Sequence, residues 1–160
     1  METTDHRAQA AECFNRCWEL LETEGRTEDE DEELLVTACA SLHHWVRAGG
    51  AQQVIISEWM VARAAAAIGL GDLSLRFAVR AHRSATEGAG LPDWLTASTA
   101  EGMARAYAAS GDAARCDEWR ATATRLVRSI ADPEDRDLIA SQLATVPAPT
   151  PPEPTGAYPA

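Results

Sequence analysis

Residues 100–123 read AEGMARAYAASGDAARCDEWRATA, and this stretch decides the fold. Ala100, Met103-Ala104, Tyr107, Gly111, Cys116 and Ala123 fall where two short antiparallel helices must interlock. Small residues allow close helix approach, Tyr107 fills the gap between the helices, and Gly111-Asp112 supplies a stop followed by a new N-cap.

The same logic extends outward in both directions. A first helix is expected over Asp5–Thr23, where Ala10, Cys13, Cys17 and Leu20/Leu21 recur at helical spacing beside Phe14 and Trp18. Thr27-Glu28-Asp29-Glu30 fits a capping box, so the acidic run opens a second helix over residues 28–48. That run lacks the spaced acids and central glycine of a calcium loop. The second helix is expected to bury Leu35, Ala38/Cys39, Leu42 and Trp45/Val46 and to stop at Gly49-Gly50. A third runs over residues 51–68, with Val54/Ile55, Trp59, Ala62 and Ala65/Ala66 on its buried side. Asp72 is expected to cap a fourth helix to Glu87, and Asp93 a fifth ending near Ser110. The sixth reaches Ile130, and Asp132-Pro133 opens a short seventh carrying Leu138, Ile139 and Leu143. Residues 1–146 therefore form one helical domain. The stretch PAPTPPEPTGAYPA at 147–160 is too rich in proline to pack and reads as a disordered tail.

Composition agrees with an all-α domain of three antiparallel helix pairs and a final capping helix. Hydrophobic residues make up 46% of the 160, much of it alanine, and long Val/Ile/Thr alternations are missing. The chain is large enough for a core without staples. A formal net charge of −11, from 25 acidic and 14 basic residues, repels phosphate backbones and anionic membranes. No run approaches the roughly 20 apolar residues of a membrane span. The first residues, METTDHRAQAAE, lack a basic stretch followed by an apolar one. Four cysteines in that context are expected to be reduced thiols, and the location expected is the cytoplasm.

The Ala100–Ala123 spacing resembles the tetratricopeptide (TPR) repeat. Ala100 stands at the family's usual tryptophan, Met103-Ala104 at its Leu-Gly pair, Tyr107 at its aromatic, Gly111 at its turn glycine, and Cys116 and Ala123 at its later alanines. Arg120 departs where an aromatic is usual, and the terminal proline is missing. Aligning Gly69 with Gly111 gives a second copy, with Ala62, Ala65, Ser74, Ala78 and Ala81 at small positions. These turns lie 42 residues apart, longer than the family's about 34. The chain is also similar to bacterial TPR-like proteins of unassigned function through His44-Trp45, Glu58-Trp59, Arg63, Asp93, Glu101, Arg105 and Tyr107-Ala108. That similarity covers most of the chain and implies a scaffold role without a known reaction.

The resemblance implies that the first helix of each pair lines a concave groove that takes a protein or peptide partner. Trp59 and Arg63, like Glu101 and Arg105, are one helical turn apart and share a face. Arg63 and Arg105 would hold a partner carboxylate and Trp59 would supply flat apolar contact, with His44 and Glu58 along the same side. The competing reading makes these residues surface ion pairs and a core tryptophan.

Two further constellations are legible. Cys13, Cys17, Cys39 and His43 sit as two i,i+4 pairs, which a hairpin near residue 26 would bring level, suiting Zn or Cu(I). The alternative makes the three cysteines small core hydrophobes. His44, Glu58 and Glu101 would make a small-molecule enzyme or sensor if they converged, against a buried polar network if they did not. Serine elbows, phosphate loops and dinucleotide motifs are missing, no catalytic residue is assigned, and no cofactor is expected outside the metal reading.

Overall fold

Short-range capping chemistry sets several helix boundaries. In the computed structural model, which describes residues 3–149, Thr27 Oγ1 accepts from the Glu30 N–H at 3.2 Å and Glu30 Oε2 accepts from the Thr27 N–H at 2.8 Å. That closed capping box starts α2 (Glu28–Ala48) after α1 (Thr3–Glu22). Asp112 accepts from Arg115 N–H at the start of α6 (Ala113–Arg128), and Asp132 accepts from Glu134 and Asp135 N–H at the start of α7 (Pro133–Ala144).

Two expected caps behave differently. The fourth helix, α4 (Gly71–Glu87), comes so soon after α3 (Ala51–Ala67) that Leu70 is its N-cap and Asp72 lies inside the first turn. Pro92 is the N-cap of α5 (Asp93–Ala109), and the Asp93 carboxylate instead accepts from Ala131 N–H at 2.9 Å, tying α5 to the α6–α7 turn.

The turns after α3 and α5 are alike. Gly69 and Gly111 both take positive φ, 79° and 76°, a region that suits a residue without Cβ. In each turn the next N–H reaches back to a carbonyl five residues earlier, Leu70 to Ala65 and Asp112 to Tyr107. Two hairpins therefore repeat one stop signal.

The described residues form an all-α array of three packed helix hairpins, α1/α2, α3/α4 and α5/α6, with α7 on α5 and α6. Ile139 of α7 joins Ala97, Val127 and Ile130 in an apolar cluster, so α7 covers the edge left by the third hairpin. The helices α3 and α5 are buried on nearly all sides, as central helices must be. The odd-numbered helices touch in succession (α1–α3, α3–α5, α5–α7), whereas α2, α4 and α6 do not touch one another. The array thus curves with the odd helices on its inner face. No described helix is long and apolar enough to cross a membrane.

The buried face of α2 is turned from the expected one. Leu34, Ala38, Ser41 and Ala48 are buried, while Leu35, Leu42 and Trp45 are half-buried and Cys39 and Val46 are exposed. Buried Ser41 satisfies its hydroxyl by donating to the Ala10 carbonyl at 2.9 Å. Residues 147–149 carry no regular structure, and the rest of the expected tail lies outside the described residues.

Candidate functional site: an arginine cleft on the inner helices

Glu101, on α5, is fully buried and accepts from three side chains. Trp59 Nε1 of α3 donates to Oε2 at 3.2 Å, Arg63 Nη1 donates to Oε1 at 3.3 Å, and Arg105 donates to Oε1 from Nε at 2.8 Å and Nη2 at 2.6 Å. Two guanidinium groups thus share one carboxylate, which leaves the cluster with a net positive charge in a region poor in water. Burial makes such an arrangement costly unless its donors find partners.

The two arginines meet that demand unequally. Arg105 is committed within the fold, because Nη1 donates to the Thr145 carbonyl and Nη2 to the Gln142 carbonyl and Thr145 Oγ1. It thereby clasps the end of α7 to α5. Arg63 makes one hydrogen bond among the described residues, to Glu101, out of the five N–H donors of a guanidinium. Its cation is instead flanked by indole faces, 5.1 Å from the Trp18 ring centroid and 5.3 Å from that of Trp59. Burial first, and then the Arg105 charge, lowers its pKa to about 10, so Arg63 remains a cation at neutral pH.

A glycine makes this packing possible. A Cβ on Gly102 would lie 2.8 Å from Trp59 Cδ1 and 3.2 Å from Nε1, so the indole brings this edge to Glu101 only because position 102 carries no side chain. The flanking Trp18 stands 6.0 Å from Trp59, ring centroid to centroid.

Arg63 and Arg105 lie in the wall of a cleft of about 1070 Å³ between α1, α3 and α5, with Trp18 on one side and Pro147 on another. Exposed Glu22 and Asp72 stand at its margin, and Arg26 there is paired with Asp31 at 2.7 Å. Trp18 also borders a smaller cavity of about 280 Å³, which Phe14, Ile56, Trp59, Trp94 and Leu138 make apolar. The inner face therefore joins a cationic recess to an aromatic one across Trp18.

The remaining expected partner residues lie elsewhere. Trp59 is buried and acts as the donor to Glu101 rather than as an open contact surface. Glu58 faces α4, where Arg80 Nη2 donates to it at 2.6 Å, and burial raises its pKa more than Arg80 lowers it. His44 lies 2.7 Å from His6, Nδ1 to Nδ1, across α1 and α2. His44, Glu58 and Glu101 thus occupy three separate environments and do not converge.

The cysteine set is not assembled either. Cys17 is buried with its thiol pushed up to about 12, chiefly by desolvation, Cys13 is half-buried, Cys39 is exposed, and exposed His43 contacts Arg47 at 3.1 Å. Among the described residues no three His, Cys, Asp or Glu side chains are grouped to hold a metal ion. The rotation of α2 that exposes Cys39 is the physical reason.

Helical spacing alone does not single out Trp18, Gly102 or the clasp from Arg105 to α7. Gly102 carries a usable signal, since glycine inside a helix costs about 1 kcal/mol and calls for a packing reason. Compared with known proteins, the chain matches no family model, no curated protein and no solved structure.

Proposed function

We propose that this chain is a non-catalytic, TPR-like interaction module that receives a protein or peptide partner in the inner-face cleft. Arg63 meets an acidic group of that partner, and Trp18 offers an apolar edge beside it. One observation carries this reading: Arg63 is a largely desolvated cation with most of its donors unengaged among the described residues, at the wall of an open cleft. Donors so placed gain most from a carboxylate that arrives with both oxygens. Arg105, already engaged with Glu101 and the α7 end, positions the wall rather than the ligand.

The overall negative charge favours a protein partner over a nucleic acid, because a duplex would meet an acidic exterior before reaching the cleft. The four free thiols suit the cytoplasm.

The experiment is comparative capture. Proteins retained by the immobilised chain are expected to be lost with Arg63→Met and kept with Arg76→Met, a change at an exposed arginine on α4. Capture that survives Arg63→Met in a variant of native helicity rules the assignment out.

A further inference from the structure

The last described residues border this cleft. Beyond the clasp of Arg105 on Thr145, Arg120 Nη2 donates to the carbonyls of Val146 and Pro147, both at 2.7 Å. Val146 is buried against α5 and α6 residues, and Pro147 becomes part of the cleft wall. The segment beyond Pro147 starts from the binding surface itself.

Residues 148–160, APTPPEPTGAYPA, have the chemistry of a ligand for that surface. They contain no lysine or arginine, one side-chain carboxylate at Glu153 and one aromatic ring at Tyr158. Prolines at 149, 151, 152, 154 and 159 restrict the backbone before binding, which lowers the ordering cost. At about 3.1 Å per residue for a proline-rich strand, Glu153 reaches about 19 Å from Pro147 and Tyr158 about 34 Å. The inner face between Leu95 and Ser110 of α5 spans about 22 Å at the helical rise, so both groups lie within range.

We propose that residues 148–160 occupy the inner-face cleft of their own chain, with the Glu153 carboxylate on Arg63 and the Tyr158 ring in the aromatic cavity beyond Trp18, in competition with an external partner. The smaller cavity, about 280 Å³, is below the size of a typical drug-like ligand site and suits one large side chain. Glu22 and Asp72 oppose an acidic segment, but both are exposed and screened by salt, whereas Arg63 acts from a desolvated wall. This inference rests on the reading of the cleft as a binding surface.

The test uses full-length chains and a synthetic peptide of residues 148–160. Calorimetric titration of the peptide into the native chain should give an apparent Kd about tenfold weaker than titration into the Glu153→Gln/Tyr158→Ala chain. That ratio holds for a segment of about 0.1 mM affinity held at an effective concentration of about 1 mM. Adding Arg63→Met to the double variant should abolish peptide binding with helicity retained. Equal affinity for both chains, or no binding to either up to about 1 mM, overturns the inference. A photo-crosslinking residue at Thr155 of the otherwise native chain gives an independent measure. Crosslinks to Trp18–Arg26 or to Arg63–Leu73 support it, and crosslinks confined to α2, α6 and residues 74–87 of α4 overturn it. Should the segment fail while partner capture still depends on Arg63, the segment alone is excluded and the cleft reading stands.

Discussion

Trp59 and Glu101 stand 42 residues apart and are joined by a 3.2 Å hydrogen bond from indole to carboxylate. The turn glycines Gly69 and Gly111 are separated by the same interval, and so are Arg63 and Arg105. Equivalent positions of two successive hairpins therefore meet each other, and one repeat supplies the carboxylate that the other's tryptophan and arginine require. The site is a product of stacking, and neither hairpin alone contains it.

Glu101→Gln should be among the most damaging single changes. It leaves Arg63 and Arg105 buried without a counter-charge, which typically costs about 3–5 kcal/mol. Urea denaturation checks this. A loss below about 1 kcal/mol, the scale of an exposed pair, would mean that the carboxylate does not hold the helices together.

Gly102→Ala should destabilise the fold, although alanine in place of glycine in an exposed helix gains about 1 kcal/mol. The added Cβ collides with the Trp59 indole, and overpacking of this kind costs about 1–3 kcal/mol. A shift in tryptophan emission should accompany the loss. A variant more stable than the native chain contradicts the close contact between α3 and α5.

Thiol reactivity should divide the cysteines. Cys39, exposed on α2, should react with a disulfide reagent in the native chain, Cys13 more slowly, and Cys17 and Cys116 only after unfolding. For Cys17 burial adds a chemical block, since a thiol pushed up to about 12 yields almost no thiolate at neutral pH. Fast reaction at Cys17 would show that α1 and α2 separate readily.

Stability should fall on mild acidification through His82. Its Nδ1 lies 3.1 Å from Thr99 Oγ1 and its ring meets Trp119 edge-on at 4.8 Å, and burial holds its pKa below the ordinary 6.5. The unfolded chain then binds the extra proton more readily than the folded one. This contribution is complete above about pH 6.5 and is lost as pH falls through the depressed folded value. Melting curves between about pH 5 and pH 7.5 should show a steeper decline for the native chain than for His82→Gln. Some slope will persist in the variant, because burial and His44 lower the His6 pKa with the same sign. Identical slopes would contradict the half-buried setting of His82.

Features governed by local chemistry are legible in the chain. The seven helices, the caps at Thr27, Asp112 and Asp132 and the matching glycine turns depend on neighbours a few residues away. Asp93 departs from the expected cap because a distant N–H, that of Ala131, competes for the same carboxylate. The rotation of α2 is hidden because the helix carries two adjacent apolar stripes, Leu34/Ala38 and Leu35/Cys39, and spacing cannot choose between them. That ambiguity conceals the exposure of Cys39. At the cleft, helical spacing correctly pairs Glu101 with Arg105. It does not reveal that Trp59 and Arg63 turn to the same carboxylate, nor that Glu58 turns away to Arg80. Those outcomes depend on the angle at which hairpins stack.

Partner binding at the inner-face cleft around Arg63 is most directly tested by hydrogen exchange of the full chain with and without a captured partner. The proposed function predicts new protection along Trp18–Arg26, Arg63–Leu73 and Arg105–Ser110, reduced by Arg63→Met. Protection confined to α2, α4 and α6, with the cleft segments unchanged, would contradict it.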